Sequence, residues 1–587
     1  MIYKLKMQDN YHSKKEGISI IGIIPQYPKH SQHNIYAKLK MPPIGLESIL
    51  SQISHDSRFK EVYAIDENNY GGPLDFSGMP DHNFLQKTEP AKIAMFYGGM
   101  SNSIPRMFSV AKQYKEFGAV TIAGGSHVDA LPEEALCSGI DIVVHGEGEE
   151  TTQEILEAIV KNTQVKLDRE ALVAIKGISF LDENKKYIFT GKREPIKDLD
   201  KLKDPDLTLI RFLEKRWGSI PVNRGRGCKW NCEFCIVNKQ YGKYKASSIE
   251  KLLRQVIKYS DLGYKGFFVT DDNFAQDVKE TIELCKMIGN YKRKFKKKIR
   301  LTVQVRSEVA ENDELIDAMR FAGVTTLAIG YESPINEELK SMRKGVTVEK
   351  YIERSRKLSK YFYQHGMFIF GYPEFKDSKY KSNLTLEQRA EAYEKFFKEA
   401  RIDTIQVLNA VPIPGSKLRA RLEAENRILP LKIVGWDRYD GLFLCYDPRP
   451  EGLDASKLQN LPKELMKKRY LGNSINSTLN YGNWINWIYN AADSPVRFVL
   501  SYPRWFFHNL IKKRRDKNTT KRKSLLPKRN IFYESLINTC GDITRTWRNL
   551  FIKTYAGGIV RSWLREYKKT GYQKILQELS AKSRMTN

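Results

Sequence analysis

With 587 residues, 41% of them hydrophobic and 11% aromatic, the chain is long enough for roughly three or four domains with packed cores. Its formal net charge of +29 leaves a solvated basic surface, or a nucleic acid, an anionic membrane surface or an acidic substrate as partner. No apolar run approaches the roughly 18–20 residues that span a bilayer, and the start, MIYKLKMQDNYHSKKEG, lacks a signal-peptide core, so a cytoplasmic location is expected. Residues 1–16 are polar and read as a flexible arm. From Gly17 to about residue 165, short apolar strands (GISIIGII, EVYAID, AKIAMFYG, AVTIAGG, IDIVVHGEG) alternate with amphipathic helices (PIGLESILSQI, PRMFSVAKQYKEFG, EEALCSG, EETTQEILEAIVKN). That rhythm predicts a doubly wound parallel sheet. Residues 166–215 are mixed and polar, with a hairpin at GISFLDENKKYIFTG, and read as a connector. A second alternating series runs over 216–440, with strands at IPVNRG, GFFVTD, RLTVQVR, TTLAIGYE, GMFIFGYP and TIQVLNAVP. Six βα units in series predict a partial or full barrel. From 441 to 587 the rhythm is lost and the chain turns basic and aromatic.

Seven cysteines are sparse for this length, and three crowd into GRGCKWNCEFC, as Cys228, Cys232 and Cys235. This suits metal binding in a reducing compartment better than a disulfide framework. Thiolates are soft ligands for iron–sulfur clusters and for zinc. Three on one loop can take three corners of a cubane. The next cysteine, Cys285, lies fifty residues on inside a predicted helix. Structural zinc wants four protein ligands, so a missing fourth favours a [4Fe–4S] cluster with one open iron.

These residues resemble the radical S-adenosylmethionine (SAM) superfamily, whose members carry this cysteine spacing after the first strand of a β/α barrel. The resemblance implies that the open iron binds SAM and that reductive cleavage yields a 5′-deoxyadenosyl radical. Phe234 matches the aromatic of the last cysteine pair. Asp271, Asp272 and Asn273 in FFVTDDNF stand where the family meets the methionyl amino group, with Asp272 the first choice. Arg306 ends a later strand, placed for the SAM carboxylate or ribose, and Glu332 ends another. Gly371 in GMFIFGYPE and the AVPIPGS turn match later strand ends that let backbone approach adenine. Singly, each polar strand end reads as a cap or surface residue; recurrence behind the three cysteines raises them all.

The front region resembles the cobalamin-binding domain that precedes the barrel in one large subclass of that superfamily. MPPIGLESIL matches its first helix and EVYAIDEN its second strand. GGMSNSIPRM, with Ser101, Asn102 and Ser103, matches a strand-to-helix loop. AGGSHVDALPEE, with Gly124, Gly125 and His127, and GEGEE, with Gly146, Glu147 and Gly148, match later loops. The Asp-x-His-x-x-Gly string that supplies a lower cobalt ligand in other cobalamin domains is missing; base-off cobalamin without a protein histidine on cobalt is therefore expected, and His127 reads as a loop contact.

The expected architecture is α/β: a Rossmann-like cobalamin domain, a (β/α)6 partial barrel and a mainly helical basic C-terminal region. The expected activity is methyl transfer through methylcobalamin to an unactivated carbon of a small-molecule or lipid-like substrate, with no catalytic acid or base assigned and with an external electron donor such as flavodoxin or ferredoxin. The resemblance also admits a radical cyclase or rearrangement enzyme. From other classes stand a basic nucleic-acid-binding protein with a structural metal and a non-catalytic cobalamin sensor. Residues 501–587 carry 21 Lys and Arg against 5 Asp and Glu. With Trp484, Trp487, Trp505, Phe506 and Phe507 they read as a helical accessory region or as a peripheral contact with anionic membrane, which would make the cytoplasmic protein membrane-associated. A nucleic-acid role ranks third because no readout motif accompanies the charge.

Overall fold

The computed structural model describes residues 17–31, 40–162, 164–374, 381–471 and 556–577. The front strands form as the alternation predicts: β1 (Ile18–Ile24), β2 (Phe59–Asp66), β3 (Ala91–Tyr97), β4 (Val120–Gly124) and β5 (Ile142–Val144). Every residue of β1 is buried, as in a parallel strand covered on both faces. These five strands pair in parallel. The hairpin of the connector, β6 (Ile178–Leu181) and β7 (Tyr187–Phe189), extends the same sheet antiparallel beyond β5. A two-residue strand, β8 (Ile210–Arg211), closes the opposite edge on β2. The resulting order is β8-β2-β1-β3-β4-β5-β6-β7. It reverses direction at β1, and ligands in such sheets bind at the carboxyl ends beside that reversal.

Helix α1 (Ile44–Ile53) buries Leu46, Leu50 and Ile53 on this sheet. It lies so close that a Cβ on Gly22 of β1 would stand 2.6 Å from a Leu50 methyl. Helix α2 (Ile104–Glu116) covers the other face with Met107, Val110 and Tyr114, and α3 (Glu149–Ile159) follows the GEGEE loop.

The second sheet comprises β9 (Ile220–Val222), β10 (Gly266–Val269), β11 (Arg300–Val305), β12 (Val324–Glu332), β13 (Tyr363–Phe370) and β14 (Thr404–Asn409), all parallel and in sequential order. Helices lie between the strands, among them α4 (Val278–Lys294). After β14 come α5 (Lys417–Ala424) and α6 (Ala455–Leu471). One hydrophobic core runs from Ile20 and Leu50 through Leu207 and Ile210 to Ile220 and Val303, so the two sheets are packed as one body. A second core on the far face of the front sheet takes Trp436, Phe443, Tyr567 and Tyr572 from the C-terminal part of the chain. The described end of the molecule is therefore buried against its beginning. The aromatic and basic stretch of residues 484–523 and the arm 1–16 lie outside the described residues. Among the described residues, no helix is long and apolar enough to cross a membrane.

Candidate functional site

The chain leaves β9 at Asn223 and enters the cysteine loop through a short antiparallel pair, Gly225–Arg226 with Lys245–Ala246. The residues after β10 hold this entrance. Asp271 accepts a hydrogen bond from the Arg224 amide at 2.9 Å, and Asp272 accepts one from the Gly227 amide at 3.1 Å. Burial pushes the Asp271 carboxyl up to about 6 and raises Asp272 as well. Gly227 sits at φ +85°, where a Cβ would crowd the Lys243 carbonyl at 3.1 Å.

Cys228, Cys232 and Cys235 are unbonded thiols. Burial raises Cys228 and takes Cys235 to about 11, with the charges of Asp272 and Cys232 adding to both. Metal loading must therefore expel protons from this loop. Among the described residues, no three His, Cys, Asp or Glu side chains converge on a single-ion site. Cys285 is fully buried on α4, packed into the hydrophobic core. Glu233, between the second and third cysteines, is 3% exposed. Arg421 on α5 grips it with Nε to Oε1 at 2.8 Å and Nη2 to Oε2 at 3.2 Å, and the Tyr372 hydroxyl donates to the same carboxylate.

At the neighbouring strand ends, Asn273 donates to Gln276 at 3.0 Å while its buried Oδ1 has no partner. Arg306 donates to the Lys344 carbonyl at 2.7 Å and stacks 3.9 Å over the Trp230 ring, and its Nε is buried without a partner. Glu332 is held by Lys344 at 2.8 Å at a left-handed φ of +63°, a strained conformation for this residue type. Gly371 directly follows β13 at φ +65°, where a Cβ would also meet Leu458 of α6 at 2.2 Å.

A cavity of about 330 Å³ lies between the two sheets' carboxyl ends. From the front domain it is lined by Gly124, Gly125, Gly146, Glu147 and Gly148, and from the other side by Arg226, Tyr241 and Asp272. Gly146, at φ +67°, has nothing within 4 Å of where a Cβ would be. Four of the expected front-loop residues, Ser101, Asn102, Ser103 and His127, are not on this lining. Ser101 and Asn102 are buried in the turn after β3, and Ser101 Oγ pairs with His127 Nδ1 at 2.9 Å. His127 is 1% exposed and meets Trp436 edge-on at 4.6 Å, which takes it into the second core. Burial, with Arg419 nearby, drops its pKa to about 3, so it is neutral at pH 7.

Sequence reasoning missed the polar link across the cavity. Arg226 reaches Glu147 at 2.6 Å and pairs with Glu149, which also accepts from Ser48 of α1 at 2.7 Å. Lys245 bonds Glu147 and, at 2.7 Å, the Ile196 carbonyl. The signal was present as opposite charge in the two glycine-bearing motifs, GRGC and GEGEE.

Residues 222–386 match the model of the radical SAM superfamily. An uncharacterized methyltransferase of Pyrococcus horikoshii is 27% identical over 445 residues, covering 73% of this chain and 87% of the relative. The structure of OxsB, a cobalamin-dependent SAM radical enzyme with aqua-cobalamin and SAM bound, aligns over 96% of this chain and 80% of that one with a TM-score of 0.59 at 14% identity. The radical SAM methyltransferase TsrM of Kitasatospora setae, with cobalamin and a [4Fe–4S] cluster bound, aligns over 70% and 78% with a TM-score of 0.55, also at 14% identity. The chain is thus an enzyme whose residues 222–386 match the radical SAM superfamily, similar in sequence to proteins named as methyltransferases and in fold to OxsB and TsrM.

Proposed function

We propose that this protein is a cobalamin-dependent radical SAM C-methyltransferase, with a Rossmann-like front domain and a (β/α)6 partial barrel, acting on a small-molecule or lipid-like substrate. The observation that carries this is the shared cavity. The glycine loops of the front domain and the entrance of the cysteine loop line one space, so a cofactor on either side meets a substrate held between them.

The residues present fit the groups. Cys228, Cys232 and Cys235 would hold a [4Fe–4S] cluster and leave one iron for SAM. Asn273 Oδ1 and Arg306 Nε are buried polar atoms that want partners, as SAM-contacting groups would. Asp272 and Glu332 complete the SAM side of the proposal, and Gly371 takes part only through backbone position. Gly124, Gly125, Gly146, Glu147 and Gly148 would face cobalamin, with Gly146 leaving open space for it. Ser101, Asn102 and His127 would act behind these loops, shaping them. No histidine lines the cavity among the described residues, so the proposal keeps cobalamin base-off. Bound SAM and cobalamin supply the radical and methyl chemistry, while the protein positions and shields them.

The chain's own contribution is geometric. Asp271 and Asp272 fix the loop entrance through the Arg224 and Gly227 amides. Tyr241, on the short helix Val237–Tyr241 after the third cysteine, forms part of the cavity wall. Electrons come from an external flavodoxin- or ferredoxin-like donor.

The test is anaerobic reconstitution of the full chain with iron, sulfide and hydroxocobalamin. Expected are about four irons, corrin absorbance that survives gel filtration, and SAM-derived 5′-deoxyadenosine under reduction. SAM left intact under every reductant would overturn the proposal.

A further inference from the structure

Around the cysteine loop the three segments that frame Trp230 expose only basic side chains, with carboxylates adjoining them at Glu308, paired to Arg306 at 3.2 Å, and at Asp277, which follows the Gln276 carbonyl that takes Lys229. Trp230, between the first and second cysteines, is 38% exposed. Three segments surround it. In the loop itself (227–243) the only carboxylate is Glu233, which is buried on Arg421, while Lys229, Lys239 and Lys243 are exposed. The turn 339–346 contains no carboxylate and exposes Arg343; a Cβ on its Gly345 would lie 3.5 Å from the Trp230 ring. The segment 411–418 likewise contains none, and its exposed Lys417 donates to Asn231 at 2.9 Å. The pieces are fastened to one another. The Glu233 amide donates to the Met342 carbonyl at 3.1 Å, the Leu418 amide to the Glu233 carbonyl at 3.1 Å, and Asn238 Nδ2 to the Trp230 carbonyl at 2.6 Å. The face is therefore a fixed basic surface with one aromatic at its centre.

We propose that this face, Lys229, Lys239, Lys243, Arg343 and Lys417 around Trp230, is the docking surface for a small acidic one-electron carrier protein. The proposal rests on the reading of the site as a reductively activated radical SAM centre and adds where its reductant binds. Charge complementarity selects the partner, because a surface of one sign steers an oppositely charged protein and speeds its encounter. A single exposed aromatic without a groove is no stacking platform for a nucleic acid strand. The transfer is balanced by one electron: the carrier is oxidised by one, the centre held by the cysteine loop is reduced by one, and no proton or bond crosses the face.

The experiment uses the reconstituted full chain and follows cluster reduction by absorbance and EPR, which is independent of any methyl transfer. Reductants are photoreduced flavodoxin and, separately, dithionite. The double variant Lys239→Glu/Arg343→Glu is expected to slow reduction by flavodoxin about tenfold or more at low salt while leaving the dithionite rate unchanged. Wild-type reduction by flavodoxin should slow as ionic strength rises from 20 to 200 mM by a comparable factor, since exposed charges are screened within about 10 Å at 0.1 M. A control, Lys87→Glu/Lys92→Glu on the exposed edge of the front domain, should match the wild type. An unchanged flavodoxin rate in the double variant overturns the docking surface. So does an equal slowing with dithionite, which would place the damage in the cluster loop. Loss of binding to a single-stranded RNA oligomer or to anionic vesicles, with the flavodoxin rate intact, would assign the face to another partner and overturn it too. Failure of the parent reading looks different: wild-type cluster is reduced, yet SAM stays whole.

Discussion

Arg226 and Glu149 meet between the two sheets, one two residues before the first cysteine, the other at the head of α3. The same guanidinium spans to Glu147 at 2.6 Å, and all three side chains are largely buried, 14% exposed for Arg226 and 5% for each carboxylate. Burial alone would raise Glu149, but Arg226 and Ser48 outweigh it and hold the carboxyl below its ordinary range. Removing one partner from such a pair strands buried charge, at a cost of about 3–5 kcal/mol. Arg226→Ala is therefore expected to lower the melting temperature and to loosen the GEGEE loop, so that hydroxocobalamin is lost on gel filtration. Arg226→Lys should recover only part of both, because an ammonium cannot fork between two carboxylates. Calorimetry and corrin absorbance read the two effects; a variant that melts and retains corrin like the wild type would show that the link carries no load.

A second buried pair braces the cysteine loop from the other side. Arg421 holds Glu233 in two hydrogen bonds and also donates to the Pro373 carbonyl at 2.9 Å. Glu233→Gln keeps the shape and removes the charge, leaving the guanidinium with only Glu425, at 3.5 Å, as counter-ion. The expected result is a reconstituted chain that loses iron several-fold faster to a chelator, with an altered cluster EPR signal. Tyr372→Phe removes one hydrogen bond to the same carboxylate and should cost about 1.5–3 kcal/mol. Equal iron loss from wild type and Glu233→Gln would refute the brace.

The cysteines themselves divide sharply. Substituting Cys228, Cys232 or Cys235 by Ala should each abolish cluster formation, reducing iron from about four per chain to near zero. Cys285→Ala should leave iron unchanged and cost only packing, because that thiol is fully buried in α4 and burial pushes its pKa far up. Iron retained after loss of any one of the three would contradict the ligand assignment.

The strands were legible because burial on both faces leaves a continuous apolar signature, as in Ile18–Ile24 and Gly266–Val269. The cysteine and glycine loops were legible because their chemistry is local in sequence. What sequence could not show is which distant partner a charge or ring finds. Glu233 meets Arg421 188 residues away, and Arg226 meets Glu149 77 residues away. His127 bonds Ser101 of the loop after β3, but its packing on Trp436, from beyond the second sheet, had no local signal. The hairpin at 178–189 was readable from its pattern, but its place at the edge of the front sheet depends on pairing with Ile142–Val144, which no local pattern encodes.

Glu47 gives the molecule a pH dependence that the cofactors do not enter. It lies in the first turn of α1, fully buried, and neither carboxylate oxygen has a partner. Burial, with Asp66 nearby, pushes its pKa from 4.5 to about 8. Below about pH 4.5 both the folded and unfolded chains keep the proton, and the carboxyl costs nothing. Between there and about pH 8 the unfolded chain has released the proton and the folded chain has not, so stability falls as pH rises, and the loss is complete above that value. Each tenfold change in proton affinity between the folded and unfolded chains is worth about 1.4 kcal/mol, so the whole effect is on the order of a few kcal/mol. Glu47→Gln removes the ionisation while keeping the shape. It is expected to melt close to the wild type at pH 5 and several degrees above it at pH 8. Melting curves from pH 5 to 8.5 decide the matter: a gap between variant and wild type that does not widen with pH would mean that the carboxyl is hydrated or paired in solution.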